Sequence, residues 1–293
     1  MALVIDQIGN GFAGVVHGID LTQPLSDGDI TAIHEGMDEL AVLVFRGQWL
    51  DPEQQLAFSR SLGPLEDATG TSLRDTGKER LPVNFADVSN IVQGETLFAR
   101  DDRRRLFAIG NQLWHSDSSF KPTPAKYSLL HAHSIPSTGG NTEFADMRAA
   151  FDALDEYMKQ RIDGLICEHS QIFSRGKIGF HDFTDEERKR FGVVCQVLVR
   201  THPNTQRKSL YLASHAGGII GWPVPEANIF LQDLVEHATQ RQFVYVHKWQ
   251  LGDLVIWDNR QTMHRVRAFP VNEPRDMRRT TLAGDGPTVG MAS

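Results

Sequence analysis

Runs of apolar and β-branched residues predict strands at several places along the chain. The clearest cover residues 14–19, 41–45, 197–199, 209–213 and 253–257. Each run is short and is bounded by polar residues or glycine, which is typical of strands rather than of helices. The last run leads into a segment that contains a histidine.

Apolar residues at helical spacing predict four helices among these strands. The first predicted helix is capped by Asp27 or Asp29 and ends at about Leu40. The others run from Pro52 to about Leu62, from Asp146 or Met147 to about Ile162, and from Pro225 to about Thr239. Asp51 before Pro52 is a strong helix start, because Asp is a good N-cap and Pro suits the first helical position. Strands and helices do not alternate regularly, so the pattern favours a mainly β fold with inserted helices (α+β) and an antiparallel jelly-roll core over parallel α/β.

One segment interrupts this pattern. Residues 65–110 are rich in Asp, Arg, Gly and Thr and have weak periodicity. A long segment of this kind in a compact protein is more often an active-site cover than a linker. The chain of 293 residues is the size of one large domain. We therefore expect a single domain over residues 1–293 with a cover within 65–110.

Composition and charge narrow the classes of partner. The net charge is −7, which argues against a nucleic-acid partner because such domains usually carry a basic face. The dense basic run at 103–105 follows two aspartates, so we interpret it as a solvated loop. The longest apolar run, residues 41–45, is far too short to span a membrane.

The N-terminal residues and the cysteines predict a cytoplasmic location. The opening MALVID lacks the basic and apolar regions of a signal peptide. Cys167 and Cys195 lie in apolar surroundings without metal-binding spacing, so we expect buried free thiols in a reducing compartment.

The most informative chemical pattern is the single His-x-Asp sequence, His115 and Asp117, followed far downstream by His264. Two histidines and one carboxylate are the facial triad that binds non-haem Fe(II) and leaves positions open for substrate and O₂. If residues 115–117 were extended, both side chains would point to one face and reach one ion. A zinc hydrolase would use a similar ligand set.

Two arginines follow the distal histidine at a spacing that suits carboxylate binding. Strand alternation would put Arg275 and Arg279 on one face and Arg278 on the other. A guanidinium binds a carboxylate through two parallel hydrogen bonds, so the pair predicts a cavity for anionic ligands.

Three further histidines and one aspartate could also be considered as site residues. We interpret His131 and His133 as structural, since no third ligand accompanies them. Asp258 is expected to hydrogen-bond the turn before His264, and His215 is left open as a residue that could line a pocket.

The chain resembles the taurine dioxygenase family of Fe(II)/2-oxoglutarate oxygenases, and within it the 2,4-dichlorophenoxyacetate dioxygenase branch. The motifs behind this resemblance extend over almost the whole chain. They are VLVFRGQ (42–48), NQLWHSDSSF (111–120), GGNTEF (139–144), DMRAAFDAL (146–154), EHATQR (236–241) and GDLVIWDNR (252–260). Residues 91–110 depart from the branch, because they contain no counterpart of an expected lysine.

The resemblance implies a role for each matching residue. His115, Asp117 and His264 would bind iron, and Thr142 with Arg275 would hold the distal carboxylate of 2-oxoglutarate. A hydroxyl and a guanidinium are suitable donors for that carboxylate.

Three further residues match positions that contact the second substrate. Arg279 would meet its anionic group, Asn111 would line its pocket, and His202 would contribute to its binding. Homo-oligomerisation is also implied.

The implied reaction uses O₂ and 2-oxoglutarate as co-substrates, with ascorbate as a supporting reductant in vitro. It hydroxylates the carbon next to the ether oxygen of an aryloxyalkanoate such as 2,4-dichlorophenoxyacetate, giving a phenol, glyoxylate, succinate and CO₂. The same chemistry on a sulfonate, an alkyl sulfate or another small organic anion is the alternative. A non-catalytic jelly-roll binding module is the remote one.

Overall fold

The computed structural model describes residues 3–9, 11–67, 73, 79–93 and 96–290. Its strands are β1 (Val4–Ile8), β2 (Ala13–His17), β3 (Val42–Phe45), β4 (Ala86–Asp87), β5 (Tyr127–Ser134), β6 (Thr142–Asp146), β7 (Ile166–His169), β8 (Val194–Val197), β9 (Val199–Thr201), β10 (Lys208–Leu210), β11 (Ala216–Ile219), β12 (Val244–His247), β13 (Leu254–Asp258), β14 (Thr262–Val266) and β15 (Asp276–Thr281). Its α-helices are α1 (Asp27–Leu40), α2 (Pro52–Ser61), α3 (Arg103–Ala108), α4 (Met147–Asp152), α5 (Glu156–Ile162), α6 (Gln171–Gly176), α7 (Asp185–Arg190) and α8 (Val224–Ala238). Single 3₁₀ turns cover Ile109–Gln112 and Arg241–Phe243.

Most strands belong to two sheets, and these two sheets carry residues of the candidate site. Within the described ranges, the larger sheet has the strand order β1-β2-β3-β13-β5-β15-β4, and a smaller sheet has the order β12-β6-β14. All neighbouring pairs in both sheets are antiparallel except β2 and β3. The expectation of a strand-rich fold with inserted helices is confirmed.

The larger sheet is buried on both faces, which explains why β13 is a continuous apolar run. Leu254 and Ile256 belong to one core cluster with Met37 of α1. On the other face, Trp257 packs against Phe144 of β6 with ring centroids 5.5 Å apart. Alternate side chains of one strand therefore contact a helix layer and the smaller sheet.

Helix starts follow capping chemistry more closely than apolar spacing. Before α1, the N-cap is Ser26, whose side chain accepts from the Asp29 N–H, so the expected cap at Asp27 or Asp29 was wrong. The start of α2 after Asp51 is confirmed. The single helix expected from 146 to 162 is two helices, because Asp155 caps a new one by accepting from the Met158 N–H.

The expectations for the two cysteines, for membrane-spanning segments and for the cover at 65–110 differ in outcome. Cys167 is a buried free thiol, but Cys195 is exposed. In the part of the chain that the structure describes, no helix is both long and apolar enough to cross a membrane. Of the expected cover at 65–110, residues 68–72, 74–78 and 94–95 lie outside the described residues.

Candidate active site

The backbone brings the two candidate histidine ligands together. The N–H of His115 donates to the carbonyl of His264 over 3.0 Å, and the N–H of His264 donates back over 2.8 Å. Asp117 follows two residues later, and one ligand atom from each of the three side chains lies within 4.8 Å of the others. All three residues are buried. The spacing and the donor set suit one metal ion.

Both histidines carry a ring nitrogen suited to a metal. The Nδ1 of His115 lies 2.8 Å from the carbonyl of Leu113, which favours the tautomer with a proton there and leaves Nε2 as the free lone pair. The Nε2 of His264 lies 3.6 Å from Asp117 Oδ2 and the Nε2 of His115 lies 3.9 Å from Asp117 Oδ1, so Nε2 is the nitrogen of each ring that faces the carboxylate. Burial lowers the pKa of both rings, so both are neutral and able to ligate.

Asp117 is held as a carboxylate. Burial alone would raise its pKa, but the charge of Arg279, then the two histidines and a hydrogen bond from Ser128, lower it to about 2. Arg279 contacts one carboxylate oxygen through Nη1, and the Ser128 hydroxyl donates to the other over 2.7 Å. His115 forms an antiparallel bridge with His264, and a turn begins at Asp117 with Ser118 at φ 54°, so the extended segment expected over 115–117 ends at Asp117.

A side-chain network behind Asp117 fixes its position. The Oδ1 of Asn259 accepts from the Asp117 N–H at 3.0 Å and from Trp257 Nε1 at 3.1 Å. Its Nδ2 donates to Ser128 Oγ over 3.0 Å. Asn259 and Ser128 are thus positioning residues that were not predicted from the sequence. Asn259 lies in the WDNR motif, where an amide next to a buried aromatic strand was the available signal.

His115 and Asp117 line a cavity of about 240 Å³. Four other residues singled out in the sequence line it too, namely Asn111, His215, Arg275 and Arg279. Strand alternation explains why Arg275 and Arg279 lie there, whereas Arg278 turns to Asp276. Five phenylalanines also line it, together with polar and aliphatic residues; they are Phe85, Phe98, Phe107, Phe120 and Phe269.

Arg275 is fully buried without a carboxylate partner among the described residues. Its Nη1 donates to the carbonyl of Val88 over 3.1 Å, and its guanidinium lies 5.5 Å from the ring centre of Phe269. Burial lowers its pKa to about 10, which still leaves it charged at neutral pH. This is a guanidinium ready to bind an anion.

Thr142 is buried but is not among the residues that line the cavity. Its Oγ1 accepts from Trp249 Nε1 over 3.0 Å. It is close in sequence to Gly140, where an added Cβ would lie 3.4 Å from Arg275 Nε. Arg275 therefore lies close to the backbone that leads to Thr142.

His202 is not brought to the cavity. It is buried with its Nε2 3.3 Å from Asp258 Oδ2 and 3.6 Å from Asp38 Oδ1. Asp258 also accepts from the backbone N–H of Arg260 over 2.8 Å, as expected for a turn-stabilising carboxylate. The expectation that His202 contacts substrate thus finds no support in the geometry.

The structure also shows where His215 and the basic run at 103–105 lie. His215 lines the cavity, with its ring centre 5.0 Å from Phe120 and 6.0 Å from His115. The run at 103–105 is not a solvated loop, because it begins α3 and Arg103 pairs with Asp182 and Glu187.

The described part of the expected cover is fastened to β15. Arg80 binds Asp276 through two nitrogens, at 2.6 and 2.7 Å, and pairs with Asp87 at 2.8 Å. Asn90 accepts from the Arg275 N–H over 2.8 Å and donates to the carbonyl of Glu273. This segment forms part of the cavity wall beside Arg275.

The chain belongs to the TauD/TfdA family of taurine catabolism dioxygenases, whose family model matches residues 5–281. Its relatives include the alpha-ketoglutarate-dependent 2,4-dichlorophenoxyacetate dioxygenase of Cupriavidus pinatubonensis. That protein is 42% identical over 97% of this chain and 99% of its own length. The (S)-phenoxypropionate/alpha-ketoglutarate-dioxygenase of Sphingobium herbicidovorans is 37% identical over 94% of this chain and 92% of its own.

The solved structures agree with this placement. The crystal structure of AAD-2 in complex with Mn(II) and N-oxalylglycine superposes with a TM-score of 0.96. The two chains are 54% identical, and the match covers 99% of this chain and 100% of that one.

Proposed function

We propose that this protein is an Fe(II)- and 2-oxoglutarate-dependent dioxygenase that acts on aryloxyalkanoates such as 2,4-dichlorophenoxyacetate. Hydroxylation next to the ether oxygen would give a phenol, glyoxylate, succinate and CO₂. The observation that carries this proposal is a buried His-Asp-His cluster opening on an arginine-lined cavity, in a chain 42% identical end to end to a 2,4-dichlorophenoxyacetate dioxygenase.

His115, Asp117 and His264 would hold the metal. The neutral rings and the ionised carboxylate fit Fe(II), and the Nε2 atoms of both histidines face the Asp117 oxygens at 3.6 and 3.9 Å, where one ion could bind all three. When bound, Fe(II) supplies the chemistry that couples O₂ and the oxidative decarboxylation of 2-oxoglutarate to insertion of oxygen into a C–H bond. Asn259 and Ser128 would hold the carboxylate at the angle that the metal requires.

Arg275 and Thr142 would hold the distal carboxylate of 2-oxoglutarate. Arg275 is buried and offers unused N–H donors. Because Trp249 already donates to the oxygen of Thr142, the hydroxyl proton is left for another acceptor. Together they would fix one end of the co-substrate while the other reaches the metal site.

The organic substrate would occupy the aromatic part of the cavity. Phe120 lines it beside His215, and Phe107, Phe98 and Phe269 add further aromatic wall. Rings of this kind favour an aryl group, and they exclude water from the carbon that is oxidised. Asn111 also lines this region. Binding of the substrate anion by Arg279 remains a prediction, since its partner in the structure is Asp117.

We further infer the domain architecture, the oligomeric state and the cellular location of the enzyme. The two facing sheets, joined through Trp257 and Phe144, support a jelly-roll core in a single domain over residues 1–293. Residues 79–93, tied to β15 through Arg80, support a cover within 65–110. Family membership supports a homo-oligomer in the cytoplasm, with neither nucleic acid nor membrane as a partner.

The proposal is tested by measuring succinate and 2,4-dichlorophenol in the same reactions, with Fe(II), ascorbate, 2-oxoglutarate and O₂, with and without 2,4-dichlorophenoxyacetate. We expect both products to rise together in equal amounts. Substrate-stimulated succinate from a sulfonate or an alkyl sulfate, without phenol from the aryl ether, would keep the reaction class and overturn the substrate. Neither product from iron-loaded protein would overturn the enzyme assignment.

A further inference from the structure

An arginine that no sequence motif singled out connects two parts of the cavity wall. Arg175 of α6 is 3% exposed, and its guanidinium lies 4.3 Å from the ring centre of Phe107. Its Nη2 donates to Asn111 Oδ1 over 3.1 Å, and its Nη1 donates to Ser174 Oγ over 3.2 Å. Both Arg175 and Asn111 line the cavity. The arginine therefore joins α6 to the 3₁₀ turn that carries Asn111.

A glycine in the same turn makes space for this arginine. Gly110 is buried next to Asn111, and an added Cβ there would lie 2.6 Å from Cδ, Nε and Cζ of Arg175. A residue with a side chain at this position would displace the arginine. Because the guanidinium is in close contact with this backbone and with the ring of Phe107, it is held in one place.

The hydrogen bond from Arg175 fixes the orientation of the Asn111 amide. An arginine side chain has donors and no acceptor, so the atom of Asn111 that faces it must be the carbonyl oxygen. The NH₂ group is then the part of the amide left for a ligand. Burial lowers the pKa of Arg175 to about 10, so it remains a charged donor at neutral pH. The cavity wall thus presents a neutral hydrogen-bond donor at Asn111.

Ser174 in turn holds the guanidinium. Its hydroxyl donates to the carbonyl of Gln171 over 2.9 Å, which leaves the oxygen to accept from Arg175. The same oxygen lies 2.9 Å from Nδ1 of His215, which also lines the cavity. Arg175 therefore belongs to a network that includes two polar residues of the cavity wall, Asn111 and His215.

An aryloxyalkanoate offers two kinds of acceptor to this wall. Its carboxylate is charged and suits a guanidinium, the role that the resemblance gives to Arg279. Its ether oxygen is neutral, and a neutral amide N–H suits it. The ether oxygen is bonded to the carbon that is oxidised, so a donor to this oxygen would fix that carbon with respect to the metal site.

We propose that Arg175 is a positioning residue for the organic substrate: it orients the amide of Asn111 so that the NH₂ donates to the ether oxygen. The substrate carboxylate stays with Arg279, and Arg175 acts through Asn111. This inference rests on the proposed function.

The test compares the aryl ether with an analogue that lacks the ether oxygen. The analogue 3-(2,4-dichlorophenyl)propanoate keeps the carboxylate and the aryl group and has a methylene group in place of the oxygen. Succinate release gives kcat/KM for 2,4-dichlorophenoxyacetate and for the analogue, and the first value divided by the second is the ether preference. Intrinsic differences in C–H reactivity cancel when the ether preference of a variant is compared with that of the wild type.

Arg175→Met removes every donor and keeps a long side chain to pack on Phe107. The ether preference should fall about 3- to 10-fold, because a neutral hydrogen bond is lost, while the KM for 2-oxoglutarate stays within about two-fold. Arg175→Lys keeps a charged donor and should restore part of the preference. Arg190→Met is the matched control, since Arg190 lies 5.0 Å from the ring centre of Phe191 but does not line the cavity. It should leave the ether preference unchanged.

Two variants of Asn111 test the same contact from the other side. Asn111→Asp keeps an acceptor for Arg175 and replaces the NH₂ by an oxygen that cannot donate, so the ether preference should fall by the same factor. Asn111→Leu should have the same effect. The double variant Arg175→Met with Asn111→Leu should lose no more of the ether preference than either single variant, because both changes remove one and the same hydrogen bond.

Several outcomes would overturn the inference. An unchanged ether preference in Arg175→Met, or an equal loss for the ether and the analogue, would make Arg175 a structural residue of the wall. Additive losses in the double variant would show that Arg175 does not act through Asn111. If Arg175→Met does not fold, Asn111→Asp decides, and an unchanged preference there overturns the inference. Each of these results leaves the proposed function intact, whereas a wild-type enzyme that releases no phenol from the aryl ether overturns the proposed function and the ether contact together.

Discussion

Two buried clusters of this protein contain a histidine, an aspartate and an arginine, and their difference is instructive. One consists of His264, Asp117 and Arg279, and the other of His202, Asp258 and Arg260. In the second, Asp258 accepts from the backbone and guanidinium of Arg260, from the Gln261 amide and from His202. In the first, Nε2 of His264 lies 3.6 Å from Asp117 Oδ2, too far for a hydrogen bond, and Asp117 lines a cavity.

The same residue types therefore serve two purposes, and the difference lies in how fully their hydrogen-bonding capacity is used. A satisfied cluster stabilises the fold, whereas a cluster with an unused ligand atom at a cavity wall is a candidate for chemistry. Four substitutions test this difference between the two clusters.

The largest effect is expected for His264→Ala. Loss of partners around a metal ligand commonly costs 10- to 100-fold, so loss of the ligand itself should lower turnover by more than about 100-fold. Fe(II) stoichiometry should fall with it, while circular dichroism stays that of the wild type, because the two hydrogen bonds between His264 and His115 are made by the backbone and survive the substitution. Full activity at normal iron content would remove His264 from the metal site.

Asp258→Asn should show the opposite pattern. Removing the charge of Asp258 leaves Arg260 only the half-exposed carboxylate of Asp285 and should lower the free energy of unfolding by about 3 to 5 kcal/mol. Denaturant titration measures this loss, and kcat per folded molecule should remain near that of the wild type. A stable variant that cannot turn over would place Asp258 in the chemistry instead.

Arg275→Ala tests the arginine that lines the cavity without a carboxylate partner. Because it would lose a charge-assisted contact with the distal carboxylate, the KM for 2-oxoglutarate should rise about 10- to 100-fold. Iron binding should be unaffected, as equilibrium dialysis can check. An unchanged KM for 2-oxoglutarate would contradict the role given to Arg275.

The smallest effect is expected for His202→Gln. One hydrogen bond to Asp258 is weakened while an amide remains, so the loss of stability should be about 1 kcal/mol. All KM values should match those of the wild type. A selective rise in the KM for the aryl ether would restore the substrate role that the resemblance implied.

The sequence was sufficient for the parts of this molecule that depend on spacing along one segment. His115 and Asp117 were found because the two ligands are two positions apart, and Arg275 and Arg279 because a strand alternates. The start of α2 was predicted because Asp51 and Pro52 encode it locally.

The parts that could not be predicted depend on contacts between distant segments. Arg175 gains its place from Phe107 and Gly110, more than sixty positions earlier in the chain, and no local pattern marks it. His202 matched a family position, but its partners Asp258 and Asp38 come from other elements. The positions of Arg175 and His202 therefore depend on tertiary contacts that no local sequence pattern encodes.

The reciprocal hydrogen bonds between the backbones of His115 and His264 set the separation of two ligands independently of any ion. The distance between the backbones of the two histidine ligands is therefore set before an ion binds. A bound ion must fit this distance, because the hydrogen-bonded backbone does not adjust to the ion. Stripping and reloading the metal should accordingly leave the backbone unchanged. Ions of different size would then differ in how well they function here more than in whether they can enter.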